Sequence, residues 1–223
     1  MIKAIIFDMD GLMIDSEPLH YKAFNKVFNS FGKNLTEEEN RKRYIGIADI
    51  DAAEDMVTRF NIPILPKELI RRKEVLYREL LQSQVAPRPG LIKLLREIQQ
   101  YGYKIAIASN SSVVEIEIVI NSLQIAPFID GYCSAEQVVR GKPAPDVFLL
   151  AAEKLGVHSH ECLVLEDAPA GIDGASEARM TCYAIPSLET KDGDFTRATR
   201  ILSSLEDVFD WILLDSNTAS FIN

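Results

Sequence analysis

The chain has 223 residues, 47% of them hydrophobic and 26% charged, which allows one large domain or a core with a smaller insert and excludes disordered and fibrous compositions. Its 24 Lys and Arg against 33 Asp and Glu leave a formal net charge of -9, so a sequence-independent grip on nucleic acid is excluded and any bound anion must meet positive charge arranged locally. Cys133, Cys162 and Cys182 are scattered, show no metal-type pair spacing and sit in or beside apolar segments, as reduced core thiols do. Asp8 interrupts the N-terminal apolar run too early for a signal peptide, and no run approaches the ~18 apolar residues of a membrane span. The expectation is a soluble, cytoplasmic monomer with no membrane partner.

In chain order, Ala4 to Phe7 is a short continuous apolar run closed by Asp8-Met9-Asp10-Gly11, the pattern of a strand buried on both faces that ends in a turn. Residues 16–84 then hold charged, helix-periodic stretches at 18–31, 36–44, 50–60 and 67–82 with no convincing strand, so the spacing predicts a small helical bundle inserted after the first strand. The Pro- and Gly-rich junction 85–90 marks the return to the first domain. From there apolar strand runs at 104–108, 162–165 and 180–185 alternate with helix-length segments such as 91–101, 113–123, 145–155 and 170–179. Strand alternating with helix predicts an α/β fold, a doubly wound, Rossmann-like parallel sheet formed by residues 1–15 and 85–223. After the apolar stretch 208–214, residues 215–223 are polar and small and are expected to fray.

Ligands of open α/β sheets bind beyond the carboxyl ends of the strands, where this sequence carries Asp8 and Asp10, Ser109 and Asn110, and Glu166 and Asp167. Asp8 and Asp10, two apart on extended backbone, point to the same side and suit a nucleophile and a proton donor, although Asp before Gly is also ordinary turn chemistry. Ser109-Asn110-Ser111-Ser112 precedes a helix, where hydroxyls and free N–H groups suit either a phosphate or a helix cap. Lys142 lies in a loop stiffened by Pro143 and Pro145 that could hold an ammonium against a phosphoryl group. Glu166 and Asp167, adjacent acids at a buried strand end, gain from a divalent cation, and a short set of oxygen ligands points to Mg²⁺. Four carboxylates, those of Asp8, Asp10, Glu166 and Asp167, are expected to converge.

Taken in order, Phe7-Asp8-Met9-Asp10-Gly11, Ala108-Ser109-Asn110, Gly141-Lys142-Pro143 and Glu166-Asp167-Ala168-Pro169 resemble the four motifs of the haloacid dehalogenase superfamily, and the chain is similar to its β-phosphoglucomutase-like phosphatase branch with a helical cap. The resemblance implies hydrolysis of a small phosphorylated metabolite, a sugar or polyol phosphate, in which Asp8 attacks phosphorus and Asp10 protonates the leaving group. It implies Mg²⁺ held by the Asp8 carboxylate, the Asp10 carbonyl, Asp167 and Glu166, phosphate held by Ser109, Asn110 and Lys142, and His20 in the cap near the substrate. Phosphomutases of this branch carry a Lys and an Arg flanking a cap Gly. The corresponding stretch here, Ile45-Gly46-Ile47-Ala48-Asp49, offers Ile and Asp instead, so Asp49 is expected to repel a second phosphate and mutase activity is disfavoured.

Overall fold

The computed structural model describes residues 1–45, 47 and 49–219, with the backbone alone for 216–219. Its contacts divide the chain into two compact units, one formed by residues 1–15 and 86–223 and one by residues 16–85.

In the first unit, strands β1 (Ala4–Phe7), β2 (Lys104–Ser109), β3 (Gly131–Ser134), β4 (Cys162–Glu166), β5 (Thr181–Ala184) and β6 (Arg200–Ile201) form one parallel sheet among the described residues, in the order β3-β2-β1-β4-β5-β6. β1 is central and buried throughout, which is why its sequence is a continuous apolar run and not an alternation. Ala4 and Ile6 share a core with Val147, Phe148 and Ala151 of α7 (Asp146–Leu155) and with Ile172 and Ala175 of α8 (Pro169–Glu177). Ile5 and Phe7 point to the opposite face by strand alternation, and both are fully buried there. Helices α5 (Leu91–Gln100) and α6 (Val113–Ser122) complete the alternation between β1 and β3.

The second unit contains α1 (Glu17–Ser30), α2 (Glu37–Arg43), α3 (Asp49–Arg59) and α4 (Pro66–Gln84). Each of the four predicted helical stretches lies within about two residues of one of these at either end. Thr36 and Glu39 form a reciprocal capping box that starts α2, and Pro66 opens α4 at a position whose N–H needs no helical partner. Phe24, Val27, Phe28, Leu35, Met56 and Leu69 make the core of this bundle.

Two parts of the first unit differ from the sequence reading. β3 and β6 are absent from the predicted strands, because β3 is four residues of mixed polarity and β6 is two residues at the sheet edge. Where the end is expected to fray from 215 onward, α9 (Val208–Ala219) continues as helix as far as 219. Asp215 is held in that helix by Arg200 at 2.5 Å and by the Tyr183 hydroxyl, a tie that composition cannot announce. Residues 220–223 of that stretch lie outside the described residues. The three cysteines are free and buried, as expected. No helix among the described residues is long and apolar enough to cross a membrane.

Candidate active site

The chain reverses its direction of winding at β1, and the carboxyl ends of β1, β2 and β4 carry Asp8 and Asp10, Ser109 and Asn110, and Glu166 and Asp167 to this switch point. Asp8 follows β1, and its N–H donates to Leu165 O at 3.0 Å, continuing the ladder one residue past the strand. Asp8, Glu166 and Asp167 are all buried, and one carboxylate oxygen of each lies within 4.8 Å of the others. Lys142 reaches into this cluster, its ammonium donating to Asp8 Oδ1 at 2.5 Å and to Glu166 Oε1 at 2.6 Å. The Lys142–Pro143 peptide is cis.

The electrostatics follow from three acids sharing one cation out of water. Burial, then the neighbouring Glu166 carboxylate, raises Asp8 well above the ordinary carboxylate range, with Lys142 pulling the other way. The same two causes push Asp167 up to about 7, opposed by hydrogen bonds from Ser187 and Thr190. For Lys142 burial disfavours the charge, but Asp8 and Glu166 outweigh it and hold the ammonium protonated. Three buried oxygen donors with a net deficit of positive charge fit a hard divalent cation of the Mg²⁺ type.

The Asp10 carboxylate lies outside this 4.8 Å set, although its charge still adds to the rise at Asp8. It accepts a hydrogen bond from Ser111 Oγ at 2.5 Å. Of the two roles open to the serine run, the structure assigns the helix cap to its last member. Ser112 caps α6, accepting from the Glu115 N–H, while Ser109 Oγ accepts from the Ser111 N–H and Ser111 serves Asp10. Asn110 turns its side chain to the backbone of Lys142.

His20 belongs to the helical unit, where it stacks on Tyr77 with ring centroids 3.8 Å apart. Burial, followed by the nearby Lys73 ammonium, holds its pKa well below the usual value. Together with Glu17, Phe24, Asn40 and Asp49 it lines a cavity of about 200 Å³ within that unit. Asp49 is no bare negative charge, contrary to expectation: buried Lys73 pairs with its Oδ2 at 2.8 Å. Gly46 and Ala48 of the stretch read against mutases lie outside the described residues.

Several partners were invisible to motif reading. Ser111, Ser187, Thr190 and Lys73 are common residue types without distinctive spacing, and only the folded chain sets them beside Asp10, Asp167 and Asp49. The Ser112–Glu115 spacing was a readable signal for the cap, and it leaves the preceding serines for other work.

Residues 5–185 match the family model described as haloacid dehalogenase-like hydrolase. The chain belongs to that family. Hexitol phosphatase B of Escherichia coli O157:H7 is 32% identical over 214 residues, covering 93% of this chain and 94% of that protein. The structure of CbbY from Rhodobacter sphaeroides in complex with phosphate superposes with a TM-score of 0.80 at 27% identity, over 93% of this chain and 96% of that one. β-Phosphoglucomutase from Clostridium difficile superposes with a TM-score of 0.75 at 26% identity, over 99% and 100% of the two chains. This haloacid dehalogenase-like hydrolase thus has both a named phosphatase and a named mutase among its relatives.

Proposed function

We propose that the protein is a Mg²⁺-dependent phosphatase acting on a small phosphorylated carbohydrate or polyol through an aspartyl-phosphate intermediate. The observation that carries this reading is the buried Asp8–Glu166–Asp167 cluster with the Lys142 ammonium bridging two of its members at the carboxyl edge of the sheet.

In this mechanism an Asp8 carboxylate oxygen attacks phosphorus in line, the bond from phosphorus to the ester oxygen breaks, and Asp10 gives the departing alkoxide its proton. Asp10, now ionised and held by Ser111, takes a proton from the water that attacks the aspartyl phosphate, which returns Asp8 and releases inorganic phosphate. Lys142 and the Ser109–Asn110 turn hold phosphoryl oxygens, and the Lys142 charge offsets what the dianion brings to a buried acidic site. Asp8, the Asp10 carbonyl, Glu166 and Asp167 would hold the metal. Mg²⁺ there supplies the remaining positive charge for the phosphoryl group.

The helical unit would set substrate preference through the cavity that His20 lines. A mutase must grip a second phosphate, and the Lys73 charge is already matched by Asp49, so phosphate release is the favoured outcome. Release of inorganic phosphate from a panel of sugar, polyol, nucleotide and carboxylic-acid phosphates with Mg²⁺ tests the reading. Turnover of at least one member that is abolished by Asp8→Asn is expected. Activity retained by that variant, or rapid conversion of β-glucose 1-phosphate to glucose 6-phosphate without phosphate release, would overturn it.

A further inference from the structure

Lys142 must project an ammonium from a loop that is neither helix nor strand, so its place at the acids depends on what fixes its backbone. Both backbone polar groups of Lys142 are taken by one side chain. Asn110 Oδ1 accepts from the Lys142 N–H at 2.9 Å, and Asn110 Nδ2 donates to the Lys142 carbonyl at 3.2 Å. Asn110 directly follows Ser109, the last residue of β2, so this amide stitches the loop to the rigid sheet. Gly141 comes so near that a Cβ there would lie 2.7 Å from Asn110 Oδ1, leaving room for glycine alone without displacement of the amide.

We propose that Asn110 is a positioning residue whose side chain acts through Lys142, clasping its backbone so that the ammonium meets the phosphoryl group in register. The proposal rests on the reading of Lys142 as a phosphate ligand. An amide suits the task because it offers an acceptor and a donor side by side, as a peptide group in a ladder does. Asp keeps only the acceptor, and Ala keeps neither. Loss of the clasp frees the root of a long, flexible side chain, and a displacement of about 1 Å at a reacting centre can lower the rate by ~10²-fold.

The test is a double-mutant cycle with Asn110→Ala and Lys142→Met, read as kcat/KM for phosphate release, together with backbone amide exchange at Lys142. Asn110 is exposed, so its replacement leaves the core untouched. Asn110→Ala should lower kcat/KM by about 10- to 100-fold in the native background, mostly through kcat, and by less than about threefold when Lys142 is already Met. Exchange of the Lys142 amide should accelerate in Asn110→Ala and stay slow in Asn110→Asp, which keeps the acceptor. Equal effects of Asn110→Ala in both backgrounds would overturn the proposal and make the Asn110 side chain, and not only its backbone turn, a substrate contact. Unchanged Lys142 exchange in Asn110→Ala would overturn it as well, and that measurement decides the matter if Lys142→Met does not fold. If the native protein releases no phosphate from any monoester, the phosphatase reading fails, and amide exchange alone then judges the clasp.

Discussion

Asp8 and Asp10 stand two residues apart and end in different surroundings, and in the proposed mechanism that difference separates their roles. Asp8 is buried against Glu166 with Lys142 as its counter-ion, whereas Asp10 takes a hydrogen bond from the Ser111 hydroxyl. A proton donor loses aim when a hydroxyl that holds it is removed. Ser111→Ala should therefore lower kcat about tenfold for an alkyl phosphate and much less for an aryl phosphate, whose leaving group needs little protonation. Equal losses on the two substrates would show that Ser111 does not serve the acid. His20 gives a second prediction. Its folded pKa is depressed by burial and by Lys73, so the unfolded chain takes up a proton near pH 6.5 while the folded protein resists it. The stability this histidine contributes is full above that value and is lost as the pH falls from there toward the folded pKa. His20→Phe, which keeps a ring on Tyr77, should lose less stability between pH 7 and pH 5 than the native protein in denaturant titrations. Parallel losses would argue against a depressed pKa.

Among the elements, α8 shows how a helix start can shape an acidic site. Pro169 opens it, and the Glu166 carboxylate just before it accepts from the Asp167 and Ala168 N–H groups at 3.0 and 3.1 Å. Gly171 in the first turn is where a Cβ would collide with that carboxylate. Alanine in a helix interior is normally worth ~1 kcal/mol over glycine, so a loss on Gly171→Ala isolates the collision. The variant should need about 10- to 100-fold more Mg²⁺ for half-maximal phosphate release. An unchanged Mg²⁺ requirement would mean that Glu166 has no part in metal binding. In α6 the Ser112 and Glu115 side chains satisfy each other's backbone N–H groups. Ser112→Ala should lower stability by ~1 kcal/mol and Tm by roughly 2–4 °C in calorimetry. A larger loss would mean that the neighbouring Ser111 and Ser109 contacts depend on the cap.

For the whole molecule, acids outnumber bases to give a net charge of -9, and three of the carboxylates are buried together with one ammonium to serve them. A divalent cation bound there would relieve their repulsion in the folded state alone. Chelator should abolish phosphate release and added Mg²⁺ restore it, while Mg²⁺ at a hundred times its Kd should raise unfolding free energy by ~2.7 kcal/mol. Full activity in excess chelator, or a melting temperature indifferent to Mg²⁺, would sink the metal assignment.

The sequence by itself determined the four interior strands of the sheet, because an interior parallel strand is apolar on both faces and reads as an unbroken run, as at Ala4 to Phe7 and Cys162 to Leu165. It also determined the helical insert, from its 3.6-residue periodicity, and the presence of Asp8, Lys142, Glu166 and Asp167 at or beside strand ends. The edge strands β3 and β6 were illegible, since a few residues of mixed polarity carry no period. Only the tertiary structure decided which polar groups serve which. The Asp10 carboxylate is served by a hydroxyl 101 residues away, the Lys142 backbone by an amide 32 residues away, and the Asp167 carbonyl by Thr190, 23 residues on, at 2.6 Å. Lys73, an unremarkable cation on a helix, is buried against Asp49 and cancels the charge that the local sequence advertises. Hydrophobic period is a property of neighbours along the chain. These long-range hydrogen bonds and ion pairs depend on atoms brought within about 3 Å by the packing of distant segments, so, unlike the Ser112–Glu115 cap, they exist in no local stretch of sequence.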